Sequence, residues 1–312
     1  GGNLLADLTD TVKQSGLDQK LYPAAMAGTT MSGKVWGLTD ALRFGMWFYN
    51  PTAFKELNLQ IPSTYTDLVG ISKTIRNAGK YPILWGLKDL SMATNVLQVI
   101  IPQVVGTSAI LKASAAKNYN VPELVPVLDM FRKMVDDKIL DQSDTGITGQ
   151  DARAMLGKGD SLMYPSASYD IGNIIILKAG IDAFKEPVLL VDKPVVKYWG
   201  GIGQCYCIAK ASKQFDATAK FLLWWFQPEQ LKVQIEKSGL VSSEPEANTA
   251  ITDPLSKFAV ANLDKVPEDG LFWNNYVPTA ESQAWGKAVQ AVVNKQRTPQ
   301  QALQDIQAVF NK

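Results

Sequence analysis

The 312-residue sequence contains no histidine. That absence removes the Ser-His-Asp triad, the Cys-His dyad and the usual His-ligated zinc sites together. Cysteine is nearly absent too, with only Cys205 and Cys207. On a strand, residues i and i+2 point to one face with Cα atoms about 6.5–7 Å apart, so a disulfide between them would be strained. The two read as small core or strand residues rather than a redox pair, and so few cysteines fit an exported bacterial protein. No run of about 18 apolar residues free of charge occurs, so no membrane-spanning helix is expected. Neither sign of charge is in excess: 31 basic and 30 acidic residues leave +1. A nucleic-acid partner, which needs a basic surplus, is therefore not expected. Gly1 is not a natural initiator, so export is not legible at this end of the chain.

What the sequence does hold is an ordinary globular balance, 46% hydrophobic and 20% charged. The length suits two lobes rather than one, because single cores stop growing near 250–300 residues. Internal repeats and low-complexity segments are missing, and helical and strand-like stretches alternate, which argues for an α/β fold. Several helices announce their ends. Thr64 caps one, with Asp67 three residues on, Leu68, Ile71 and Ile75 along one face, and Gly79 as the stop. Leu124, Leu128, Phe131 and Val135 mark a second buried stripe. Thr148 with Asp151 opens a third, ended by Gly157 and Gly159. A long helix is expected from about Asp216 to Glu236, with Phe215, Ala219, Leu222 and Phe226 inward. The last has Thr298 as cap, Pro299 in the first position, Gln301 completing a capping box, and Ala302, Leu303, Ile306 and Phe310 as its inner face. Short apolar runs read as strands at 34–39, 46–49, 83–85, 161–164, 188–191 and 204–208.

The segment MSGKVWGLTDALRFGMWFYNPTAFKELNL resembles the family-1 solute-binding proteins, the bacterial group that includes maltose-binding protein. The matching residues are Gly33, Lys34, Trp36, Gly37, Tyr49, Asn50 and Phe54. IPSTYTDL follows, similar to the family's helix start at Pro62, Thr64, Tyr65 and Asp67. AGKYPILWGLKD, LGKGDSLMYPSASYD, WGGIGQCYCIAKASKQFDATAKFLLWWFQPEQ and AVVNKQRTPQQALQDIQ then resemble further family segments in the family's order. Each motif is weak by itself; six in order across nearly the whole chain are specific. Family members begin with about two further β-α units, so this chain is expected to enter the fold after them. A first lobe without those units would expose apolar surface and open sheet edges.

The resemblance implies the two-lobed periplasmic-binding-protein fold, type II, with hinge-crossing strands and the ligand in a cleft between α/β lobes. The expected boundaries are residues 1–42 and 199–247 for the first lobe and 43–198 and 248–312 for the second. It implies an extracytoplasmic receptor of an ABC importer, in the periplasm or on the cell surface as a lipoprotein. Its partners would be a mono- or oligosaccharide and the transmembrane permease subunits. A monomer is expected, with no cofactor, no metal and no catalytic residue.

Sugars present apolar C–H faces and rings of hydroxyls, so a receptor needs aromatic platforms and polar hydrogen-bonding groups. Tyr169 falls where the family places a stacking tryptophan, and Ser166 and Ser168 offer hydroxyls from the same turn; a surface-loop tyrosine is the plainer alternative. Trp285 falls at or beside another stacking tryptophan of the family, against the alternative of packing with Ala288 and Val292. Arg43 stands where maltose-binding protein presents a carboxylate. It would donate to hydroxyls or pair with a ligand carboxylate, or else be a hinge residue salt-bridged to Asp40. Trp199, Gly200 and Gly201 lie at a crossing, where glycine lets backbone approach a ligand. Trp273, Asn274 and Asn275 form an aromatic-amide cluster. Trp36, Trp47, Trp224 and Trp225 are assigned to packing.

Two other readings remain at this level. One is a receptor of the same fold for a charged or non-sugar solute, prompted by Arg43. The other is a carboxylate-dependent glycosidase, which needs no histidine. The P-loop is absent and GGIG at 200–203 lacks the third glycine of a dinucleotide fingerprint, so nucleotide chemistry is not expected.

Overall fold

A computed structural model describes residues 4–238 and 240–311; Gly1–Asn3, with which the first lobe was expected to begin, lie outside the described residues. The described strands are β1 (Thr30–Met31), β2 (Lys34–Val35), β3 (Leu38–Thr39), β4 (Leu42–Tyr49), β5 (Tyr81–Ile83), β6 (Ser161–Ala167), β7 (Asp182–Ala183), β8 (Gly200–Ile202) and β9 (Cys205–Tyr206). They alternate with helices, so the α/β expectation holds. The chain forms two compact units, Gly1–Phe44 with Gly200–Asp264 and Gly45–Trp199 with Lys265–Lys312.

In the first unit the strands are short antiparallel pairs. β1 pairs with β2, β3 with β9, and the first three residues of β4 with β8, where Arg43 lies opposite Gly201. The expected 34–39 strand is thus two strands, interrupted at Trp36–Gly37. The core gathers Leu8, Val12, Leu38, Leu42, Leu222, Phe226, Leu231 and Ile235. The long helix foreseen from Asp216 to Glu236 is two helices, Phe215–Trp225 and Pro228–Ser238. Pro228 has no N–H to give and its ring would crowd the carbonyl of Trp224, so it starts a helix instead of continuing one. Residues 248–264 were expected in the second lobe but pack here. Ile251 is part of this core, Val260 and Leu263 lie against it, and the Phe258 ring stands edge-on to Phe44 at 6.0 Å.

In the second unit the strand order is β5–β6–β4–β7. β4 and β6 run antiparallel with Gly45 opposite Ala167, while β5 and β6 run parallel. All seven residues of β6 are buried, as a strand covered on both faces requires. The caps read from the sequence are present. Thr64 and Asp67 close a reciprocal capping box on the helix Tyr65–Asn77, and Gly79, at φ +73°, takes the left-handed turn after it. Thr298 and Gln301 do the same for Pro299–Gln307. The helix Gly149–Lys158 ends at Gly159, with Gly157 inside it. The 188–191 run is not a strand: Leu189 makes a lone bridge to Thr64, while Val188 and Leu190 are buried. A buried carboxylate fixes the segment after β5. Asp144 accepts from the backbone N–H groups of Trp85 at 3.0 Å and Gly86 at 2.8 Å. Burial pushes its carboxyl up to about 6, against the pull of those N–H donors.

Candidate functional site

The second unit places Ser166, Ser168 and Tyr169 at the carboxyl end of β6, the end of an α/β strand where ligands commonly bind. After Ala167 the chain makes one 3₁₀ turn, Ser168–Asp170, and then the helix Ile171–Ile175. Tyr169 is half-buried, and its ring meets Phe272 edge-on at 6.4 Å. Phe272 immediately precedes the turn Trp273–Asn275, so the two polar-aromatic segments chosen from the sequence meet through a residue that was not chosen. Asn274 is half-buried and accepts from Gln98 Nε2 at 3.0 Å. Gln98 and Phe272 gave no sequence signal, because one lies in an apolar helix and the other reads as an ordinary loop hydrophobe.

Three tryptophans expected at a ligand surface are enclosed. Trp285 and Trp273 are 0% exposed and Trp199 is 1% exposed. Trp285 stands edge-on to Tyr119 at 5.8 Å and to Trp273 at 6.2 Å. Its position on the helix Thr279–Val293 aligns it with Ala288, Val289 and Val292, so the packing alternative prevails and no ring face is left for a sugar. Trp199 lies on the bare backbone of Gly45, where an added Cβ would sit 2.2 Å from the indole.

The hydroxyls also turn inward. Ser166 is 5% exposed and Ser168 1% exposed. Ser166 Oγ donates to Asp170 Oδ2 at 2.5 Å. Asp170 further receives Arg153 Nη1 and Asn173 Nδ2, each at 3.2 Å. Its position next to Tyr169 was visible in PSASYD; its arginine, on another helix, was not. A carboxylate this enclosed, with three donors on it, suits holding a turn rather than transferring protons.

The first unit carries its own candidates. Arg43 is half-buried and faces Gly201 across the β4–β8 pair. Gly201 has φ +149°, a conformation side chains rarely adopt, so glycine is required there by the backbone; Gly200 is buried. Asp40, expected as the partner of Arg43, has its Oδ2 occupied by uncharged donors. Tyr206 OH lies at 2.9 Å and Gln234 Nε2 at 2.6 Å. Burial and this bond push the Tyr206 phenol up to about 12.

A half-buried tyrosine on a turn fixed from inside by a buried carboxylate has the chemistry to meet an uncharged polyhydroxylated molecule. The class of protein that these segments and the fold suit is the solute-binding one. The profile of the bacterial extracellular solute-binding proteins matches residues 2–257. The chain belongs to that family, and its place is outside the cytoplasm.

Solved structures agree on the fold. A chitin oligosaccharide binding protein superposes with a TM-score of 0.83 at 18% identity, over 99% of this chain and 78% of that one. A structure from a study of xylan utilization by Caldanaerobius polysaccharolyticus gives 0.81 at 20% identity, over 98% and 80%. The GacH receptor of Streptomyces glaucescens, solved unliganded and with acarbose, gives 0.74 at 16% identity, over 99% and 78%. No curated protein matches the chain by sequence.

Proposed function

We propose that the chain is the substrate-binding receptor of an ABC importer that takes a mono- or oligosaccharide onto Tyr169 and hands it, unaltered, to the permease. The observation that carries this reading is Tyr169 itself. It is a half-buried ring braced edge-on by Phe272 on the turn leaving β6. Such a ring offers a face to sugar C–H groups while its phenol serves hydroxyls. The likeness in fold to proteins that bind chitin oligosaccharide and acarbose supports a carbohydrate ligand. Trp199, Trp273 and Trp285 act in this reading as core. Arg43, whose guanidinium is a planar fork of donors, prompts an alternative ligand class for a receptor of this fold, an acidic solute such as a uronate.

The test is a thermal-shift screen of the purified chain against neutral and acidic mono- and oligosaccharides, with each bound sugar recovered and analysed. Binding to the folded form alone at a hundredfold excess over Kd stabilises it by about 2.7 kcal/mol. A shift with one sugar class, recovered intact and lost in Tyr169→Ala, is the expected result. A uronate preference lost in Arg43→Gln selects the acidic ligand class. Turnover of the sugar overturns the receptor reading, and no shift with any sugar overturns the carbohydrate ligand.

A further inference from the structure

Arg153 and Asp170 form an ion pair at 3.2 Å with side chains only 19% and 4% exposed. Arg153 Nη1 also donates to Tyr164 OH at 3.2 Å. Together with Ser166 and Asn173, the pair ties three pieces of the unit to one carboxylate: β6, the helix Gly149–Lys158 and the helix Ile171–Ile175. Taking both charges out of water is costly, and a buried pair adds little net stability over an apolar pair of the same size. What such a network does supply is a defined geometry, since each donor and acceptor has one direction in which it is satisfied.

The residue whose geometry is at stake is adjacent. Tyr169 sits between Ser168 and Asp170, on the single turn that this network spans. The Tyr169 ring meets the edge of Phe272, and the direction of its face depends on the backbone turn that carries it. We infer that the buried Arg153–Asp170 pair, with Ser166 as its third member, is the positioning device for Tyr169: it fixes the turn so that the ring presents one face to the ligand. This rests on the reading of Tyr169 as the sugar platform. It also changes the part given to Ser166, which serves the turn from inside instead of the sugar from outside.

The inference is tested by two measurements on the full chain. The first needs no ligand. Fluorotyrosine is incorporated, and the Tyr169 fluorine resonance is assigned with Tyr169→Phe. Asp170→Asn is expected to shift or broaden that resonance, and Arg153→Lys to do so to a lesser degree. An unchanged resonance in both variants overturns the positioning role, whether or not the protein binds sugar. The second is calorimetric titration with chitin oligosaccharides, xylo-oligosaccharides and acarbose as probes. Asp170→Asn is expected to weaken binding on the order of tenfold in the parent chain and to have no further effect once Tyr169 is alanine, the signature of one residue acting through another. An equal loss in both backgrounds overturns the inference. Should Asp170→Asn fail to fold, Ser166→Ala removes a single bond to the same carboxylate and carries the same expectations. A parent chain that binds none of the probes counts against the proposed function, and the fluorine measurement then decides the positioning role alone.

Discussion

The two units treat the same side chain in opposite ways. Trp47, Trp85, Trp199, Trp273 and Trp285, all in the second unit, are each 0–1% exposed. In the first, Trp224 is 50% exposed, and Trp36 and Trp225 are half-buried. Phe221, itself 52% exposed, lies against both Trp224 and Trp225, at 5.7 and 6.3 Å. The cause is the amount of sheet each unit has to offer. In the second, β6 and β4 are long, buried strands with helices packed on them, and a tryptophan finds apolar neighbours on every side. In the first, strands of two or three residues cover little area. The helix Phe215–Trp225 buries only the stripe of Ala219 and Leu222, continued by Phe226 just beyond its end. Adjacent tryptophans on a helix point about 100° apart, so Trp224 and Trp225 cannot both join that stripe. An abundance of tryptophan is therefore not in itself a ligand surface, and the best-supported platform is a tyrosine.

This contrast is broken most easily at its strongest point. Trp285→Ala is expected to cost about 4 kcal/mol, the usual price of emptying a buried aromatic site; urea unfolding with an unchanged slope would measure it. A loss below 1 kcal/mol would mean that the aromatic cluster of the second unit is not tightly packed. Gly45→Ala should cost about 2 kcal/mol, because the added methyl meets the Trp199 indole rather than a movable chain end. The same unfolding curve, together with a shift in tryptophan emission, reports it.

A pH effect comes next. The Asp144 carboxyl titrates near 6 when folded and near 4 when unfolded, so between those values the folded form holds a proton that the unfolded form has lost. Stability contributed by this group is present below about pH 4 and is lost as pH rises through about 6. Asp144→Asn should flatten that part of the stability profile. Thr298→Ala removes a capping-box member and should cost about 1 kcal/mol. The smallest effect is expected in the first unit. Trp224→Ala should change stability by about 0.5 kcal/mol or less while removing the tryptophan fluorescence most accessible to acrylamide. A multi-kcal/mol loss there would erase the distinction between the units.

Local signals in the sequence carried a good part of the fold. Capping residues act within one turn, so Thr64 with Asp67 and Thr298 with Gln301 were legible without knowing what lies across the core. The stripe of Leu124, Leu128, Phe131 and Val135 was legible for the same reason, since periodicity alone names the inward side. Pro228 was equally local, and its helix break follows from a missing N–H; reading one long helix through it gave too much weight to the apolar periodicity on either side. Strand limits were read less well, because a pair of residues becomes a strand only when a partner lies alongside, as Leu38–Thr39 finds at Cys205–Tyr206.

The candidate site divides along the same line. Residues 156–170 were singled out as one motif, and Ser166, Ser168 and Tyr169 do stand on one strand end and its turn. Which of them faces outward was not legible, because the answer depends on Arg153 and Phe272, distant in sequence. The sequence by itself determined the α/β alternation, the helix ends and the family, since these follow from periodicity, capping chemistry and ordered motifs along the chain. Only the tertiary structure decided that Trp285 is core and Tyr169 is not, that Asp40 serves Tyr206 and Gln234, and that residues 248–264 join the first unit. Burial and hydrogen-bond partnership are properties of what the folded chain brings alongside a residue, and neighbours along the chain do not specify them.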